Sequence, residues 1–299
     1  MTIKDSQPTQ SEATTPQKEK SLKELSAVNI ERILTDFIKK AVDSGLSSNG
    51  ISLRNEIITE ASEVVKKYFY SINLTANSIA RLVEIGKIET IWDHPNIELL
   101  RKSATANNKS LPDDYLEIRR VADNGLRNFV LNDAKLNPVS AALATSTKDM
   151  VEGAAPRYGN WAIFIVPSPE TEQRTVFSAE DSFRSVSSET LEFDNKNILT
   201  LQHALIASVI HRKFFEMFLD PSSQKRIHKL RNYVEAAIFD NITLESISLI
   251  ICTLNTEDEV NSAKTILGKI GPIRNKMQFV FGDDISPSVR QGFNFNSST

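Results

Sequence analysis

The chain has 299 residues, of which 40% are hydrophobic, 7% aromatic and 24% charged, the proportions of an ordinary globular protein. Its 38 acidic and 35 basic side chains leave a formal charge of −3, without the broad positive field that drives counterion-releasing contact with nucleic acid, so no nucleic-acid partner is expected. The one cysteine, Cys252, sits in the apolar run 247–254 with no histidine near it in sequence and reads as a small buried hydrophobe rather than a reactive thiol.

No stretch approaches the ~20 apolar residues a bilayer-spanning helix requires, and residues 1–20 lack the apolar core of a secretory signal peptide. The expectation is a cytoplasmic chain, or one exported by a specialised route, with no membrane contact. Residues 1–20 are mostly Ser, Thr, Gln, Pro and Lys, too poor in apolar groups to offset the entropy of ordering, and are expected to form a disordered polar leader. Such a leader is compatible with the unstructured export signals of bacterial effectors.

From Ser21 onward the pattern changes. Leu22, Leu25, Val28, Ile30, Ile33, Leu34, Phe37 and Ile38 recur at three- and four-residue intervals and predict an amphipathic helix; a turn-rich link at 43–50 leads to a second helix over 53–69. Residues 70–75 alternate as a strand, and 76–85 return to helical spacing closed by Gly86. Residues 88–92 could add a strand, 95–116 read as a loop with one short helix, and 118–131 as a helix. The segment 139–145 fits strand or helix.

The clearest strand is 161–167, an apolar run between Gly159 and Pro167, followed by a shorter one at 175–178. Residues 197–219 predict one long apolar helix and 223–231 a short basic one; strands at 233–239, 247–254 and 277–281 bracket a helix at 257–270, and the tail from 287 is expected to fray. The fold class that follows is α+β, with N-terminal helices leading into a mixed, mainly antiparallel sheet with flanking helices. The organisation is a leader over 1–20, a helical segment over 21–69, an α+β domain over 70–285 and a flexible tail over 286–299.

Zinc-ligand, metalloprotease, nucleophile-elbow and phosphate-loop signatures are absent, and no metal site is expected. His203 and His211 share the long apolar helix, but two turns set them ~12 Å apart, too far for one metal ion. No close carboxylate pair marks a glycosidase.

Three segments carry a resemblance. G-A-A-P-R-Y-G at 153–159, T-V-F-S-A-E-D-S at 175–182 and Y-V-E-A-A at 233–237 resemble, in order and spacing, an uncharacterised bacterial domain family marked by a G-x-A-P-R-[FY]-G turn, a D-S segment and a Y-x-E-A-Q strand. Upstream, I-N-L-T-A-N at 72–77 is similar to that family's early strand, although Thr75 stands where the family tends to have histidine, and Ala237 replaces its glutamine. The order of these segments also resembles that of ADP-ribosyltransferases.

That resemblance implies an NAD-using transferase that modifies a protein side chain, with a host protein as one candidate acceptor and NAD as substrate. Glu235 would be the catalytic acid, meeting the positive charge that grows as the nicotinamide–ribose bond breaks. On an alternating strand it shares a face with Tyr233 and Ala237. Thr75, Asn77, Arg157, Tyr158, Gly159, Phe177 and Asp181 would bind the dinucleotide: Arg157 as a fork for phosphate oxygens, Tyr158 by stacking, Gly159 by close backbone approach, and Asp181 by bonding a ribose or holding Arg157. Asp181 followed by Ser182 also reads as a simple turn cap, and Glu235 as a solvent-facing strand residue. The alternative function is a non-catalytic interaction module on the same fold, docking through the N-terminal helices and the basic segment 225–231.

Overall fold

The computed structural model describes residues 15–65, 67–93, 114–131, 136–187, 189–218, 233–269, 271–283, 285–286 and 289–290. The expected basic helix at 223–231 and most of the loop at 95–116 lie outside them. The first helix, α1 (Thr15–Asp43), begins five residues before the predicted end of the leader, so 15–20 are helical. Helix α2 (Gly50–Val64) follows, its first turn closed by Asn49, whose side chain accepts the N–H groups of Ile51 and Ser52.

Eight strands form one sheet: β1 (Phe69–Leu74), β2 (Val139–Ala144), β3 (Trp161–Ile165), β4 (Thr175–Ser178), β5 (Ile198–Leu199), β6 (Glu235–Ile238), β7 (Ile247–Leu254) and β8 (Met277–Phe281), in the order β5-β4-β6-β2-β1-β3-β7-β8. Every pairing is antiparallel except β7 with β8, so the sheet is mixed and mainly antiparallel as the alternation predicts. Helices α3 (Ala76–Ile85), α4 (Tyr115–Arg127), α5 (Asp149–Glu152), α6 (Pro169–Gln173), α7 (Leu201–Phe218) and α8 (Glu257–Leu267) complete the described set.

Two departures from the sequence reading have local causes. Residues 88–92 form no strand: Lys87 makes one isolated bridge to Thr243, and Ile88 donates to the Ile242 carbonyl before the chain turns away. The predicted helix at 197–219 divides because Ile198 and Leu199 pair with Ser178 and Phe177, leaving α7 to start at Leu201. Apolar periodicity cannot tell a two-residue edge strand from the first half-turn of a buried helix.

The two faces of the sheet are covered unequally. On one face Tyr70, Ile72, Leu143, Ile163, Ile165, Phe177, Ala236, Ile238 and Ile250 meet side chains from α1, α2, α3, α7 and α8, forming the main core. Burying each Leu, Ile or Phe there contributes about 1.5–3 kcal/mol. On the other face the residues around Glu235 are small, with Ala142, Ala144, Ala162, Ala237 and Ser71 under α4 and the turns around Gly153 and Asp181, while Phe164 and Ile251 pack further along it.

The exposed backbone of the edge strand β5 is covered by the polar side of α1. Asn29 donates to the carbonyls of Asn195 and Ile198, both at 2.9 Å, and the Ser26 hydroxyl accepts the Thr200 N–H at 2.7 Å. Ser26 also contacts Nδ1 of His203 at 2.6 Å, and Nε2–H of His211 donates to the Ala179 carbonyl. Burial is the larger influence on both imidazoles and lowers their pKa, with the hydrogen bonds to Ser26 and Ala179 opposing it.

A histidine whose folded pKa lies below its unfolded value of ~6.5 stabilises the fold above that value and withdraws stability as pH falls through the folded one. The urea midpoint should therefore drop between pH 7.5 and 5.5. The same pair of titrations on a His203→Gln, His211→Gln double variant should show a smaller drop.

Candidate functional site

The site is built on β6. Its alternation sends Val234, Ala236 and Ile238 into the main core and Tyr233, Glu235 and Ala237 to the opposite face. Glu235 lies between Ala142 on β2 and Ser178 on β4, and it is only 1% exposed. A carboxylate at that depth is tolerable only when charge and hydrogen bonds replace the lost water.

Both oxygens have partners. Oε2 accepts the backbone N–H of Ser182 at 2.5 Å, and Oε1 accepts Nη2–H of Arg119 at 3.2 Å. Arg119, 7% exposed on α4, also stands 2.6 Å from Oδ1 of Asp123, one helical turn further on and 3% exposed. Asp123 Oδ2 accepts Nε1–H of Trp92 at 2.6 Å. The guanidinium is held strongly protonated: burial opposes its charge, but the carboxylates of Glu235 and Asp123 and the nearby Tyr115 outweigh it.

Above this triad lies a tyrosine rim. Asp181 Oδ1 accepts the Phe183 N–H and so caps the 3₁₀ turn Ser182–Ser185 that presents the Ser182 N–H to Glu235. Its Oδ2 accepts the hydroxyls of Tyr158 at 3.2 Å and Tyr233 at 3.3 Å, whose rings cross edge to face 6.3 Å apart. Tyr115, at the start of α4, stacks on Phe183 at 5.1 Å. Burial first, and then neighbouring acidic groups, push the Tyr233 hydroxyl well up, so it remains a donor at neutral pH. Tyr158, 47% exposed, is the outermost member.

The turn that supplies Tyr158 is folded around Asn73 of β1. Asn73 Nδ2 donates to the carbonyls of Glu152 and Gly159, its Oδ1 accepts the Ala155 N–H, and the Ser71 hydroxyl accepts the Ala154 N–H. This explains both glycines. Gly153 has a left-handed φ of +82° against the Asn73 amide, and a Cβ on Gly159 would stand 2.1 Å from the Leu74 carbonyl oxygen.

The eight residues expected at a dinucleotide site thus fall into separate places. Glu235, Asp181 and Tyr158 share one cluster, with Arg157 in the same short turn, Pro156–Tyr158. The Arg157 guanidinium lies outside the described side chains, and its expected pairing with phosphate goes with it. Thr75, Asn77 and Gly159 border a different hollow of about 220 Å³, with Asn160, Trp161, Glu259 and Ser262. Thr75 lies one residue past the end of β1, four residues beyond the row that contains Glu235 and two strands away, or roughly 16 Å. Its hydroxyl caps α3 by accepting the Ser78 N–H.

Phe177 is a correction. It was expected to contact the dinucleotide, but it faces the main core, 3% exposed and edge-on to Tyr70. Strand alternation requires this, since its neighbour Ser178 is the residue paired with Glu235.

Arg119, Asp123, Trp92 and Tyr115 were not anticipated from sequence. The signal that could have found them is an Arg–Asp pair four residues apart on the apolar stripe of a helix, beside Ile118, Ala122 and Leu126. Two buried hydroxyls in the cluster, those of Ser178 and Ser182, have no hydrogen-bond partner. No group of His, Cys, Asp and Glu among the described residues is placed to hold a metal ion, and no described helix is long and apolar enough to cross a membrane. The chain matches no protein-family model and no curated protein.

Two consequences can be measured. Arg119→Met leaves Asp123 and Glu235 buried without their shared cation and should cost about 3–5 kcal/mol in urea unfolding, with part recovered when Glu235→Gln is added. Gly159→Ala should displace the turn and cost about 1–3 kcal/mol, whereas the same change at exposed Gly268, where an added Cβ meets nothing, should cost far less.

Proposed function

We propose that this chain is an NAD-dependent ADP-ribosyltransferase-like enzyme that transfers ADP-ribose to a protein side chain, with Glu235 as its catalytic carboxylate. The observation that carries this reading is the position of the Glu235 carboxylate. It is buried at the centre of a polar cluster to which Arg119, Asp181, Ser182, Tyr158 and Tyr233 all contribute. An enzyme of this class needs an ionised carboxylate in a dry setting, where it can accept a ribose hydroxyl and face positive charge developing on the sugar as nicotinamide leaves. Arg119 and the Ser182 N–H supply hydrogen bonds to the carboxylate oxygens, and the tyrosines offer ring faces and donors to a nucleotide.

A second reading has its own support. Both Glu235 oxygens are satisfied within the protein, and the Thr75 hydroxyl is engaged as a helix cap. That is the pattern of a polar core that fixes a fold, and it favours a non-catalytic interaction module.

The two readings separate in one experiment. Purified chain is incubated with NAD labelled in the adenylate half, with and without cell lysate, and both nicotinamide release and label on protein are followed. The transferase reading expects release or labelling that falls about a hundredfold or more in Glu235→Gln, with the variant's unfolding midpoint close to that of the parent. Absence of both NAD binding by calorimetry and nicotinamide release leaves the interaction module.

A further inference from the structure

Arg119 lies between two carboxylates at unequal distances. Its Nη2 is 2.6 Å from Asp123 Oδ1 and 3.2 Å from Glu235 Oε1. Asp123 is on the same helix, one turn away, and its other oxygen is fixed by Nε1–H of Trp92. The longer contact is the one that crosses from α4 to the sheet. Close to it are two buried hydroxyls without a partner: Ser178, opposite Glu235 in the β4–β6 ladder, and Ser182, whose backbone N–H already binds Oε2.

We propose that Asp123 is a positioning residue that holds Arg119 in place when Glu235 Oε1 exchanges the guanidinium for a hydroxyl of a sugar ligand, while Ser178 and Ser182 contribute further hydrogen bonds to that sugar. This rests on the reading of Glu235 as an acid that binds ribose. The physical reason lies in what each pair leaves behind. If Glu235 were the only partner of a guanidinium this deeply buried, a ligand taking Oε1 would leave a sealed positive charge unpaired, which is strongly unfavourable. With the Asp123 carboxylate still 2.6 Å away, the guanidinium keeps a negative partner when Glu235 turns to the ligand, and its charge stays compensated. Orphaned buried hydroxyls point the same way, because such groups ordinarily find a partner.

The test is steady-state nicotinamide release by the full chain and by Asp123→Asn, Asp123→Glu and Ser178→Ala, with thermal unfolding of each. Asp123→Asn is expected to lower kcat at least tenfold with KM for NAD changed less than threefold, since the remainder of the nucleotide still binds. Asp123→Glu, which keeps the charge, should restore kcat to within about threefold of the parent. Ser178→Ala should raise KM while leaving the unfolding midpoint unchanged or higher.

An active parent with Asp123→Asn equal to it in kcat overturns this inference and leaves the transferase reading standing. A loss in Asp123→Asn that Asp123→Glu does not restore, accompanied by a fall in unfolding midpoint, assigns Asp123 to packing and also overturns it. A parent that neither binds NAD nor releases nicotinamide removes both.

Discussion

A negative charge inside a sheet constrains everything around it. Glu235 projects from β6 under α4, where water does not reach, so the chain must supply a cation and a donor at fixed places. Arg119 and the Ser182 N–H are those groups, and each brings its element with it. Helix α4 is drawn onto the sheet at Arg119, and the turn after β4 is drawn in at Ser182. Asp181 then has a double task, capping that turn through one oxygen and gathering Tyr158 and Tyr233 with the other. The site is therefore a chain of dependencies that begins with one buried acid.

The neighbouring small residues follow from the same requirement. Glu235 lies beside Ala142 and Ser178, and the row continues through Ser71 on β1. Larger side chains there would lift α4 and the Gly153–Gly159 turn away from the sheet. Asn73 provides the complementary device, satisfying three backbone groups of that turn with one amide, so that an irregular loop can lie against a buried strand. The two glycines flanking the A-A-P-R-Y sequence mark the places where the loop comes too close to β1 for a side chain.

How much of this was legible depended on whether the signal was local. The alternation of β6 places Glu235 and Tyr233 on one face from sequence alone, and the strands at 161–165, 175–178, 247–254 and 277–281 follow from apolar runs and their punctuation. One helix cap was legible in the same way: Gly86 ends α3 at φ +76°. The partner of Arg119 was not legible: its place on the apolar stripe beside Asp123 marks it as buried, but nothing near it in sequence indicates a glutamate 116 residues later. Thr75 shows the opposite case. Its place before a helix is a strong cap signal, and that local role is the one it has.

The two faces of the sheet differ in what covers them. One carries the packed layer of α1, α2, α3, α7 and α8 on large aliphatic and aromatic side chains, further tied by the Arg212–Glu60 and Lys213–Glu56 pairs between α7 and α2. The other has the charged cluster among alanines and short turns under α4, with a smaller apolar layer that includes Val176, Phe164 and Ile251. Area burial dominates the free energy of folding, so the first face can hold the sheet flat enough and rigid enough for the second to keep its polar groups at hydrogen-bond distances. Substitutions in the cluster are then felt mainly as changes in charge balance, and those in the helical layer as changes in packing. That separation allows the role of the Glu235 carboxylate to be distinguished from the integrity of the fold that carries it.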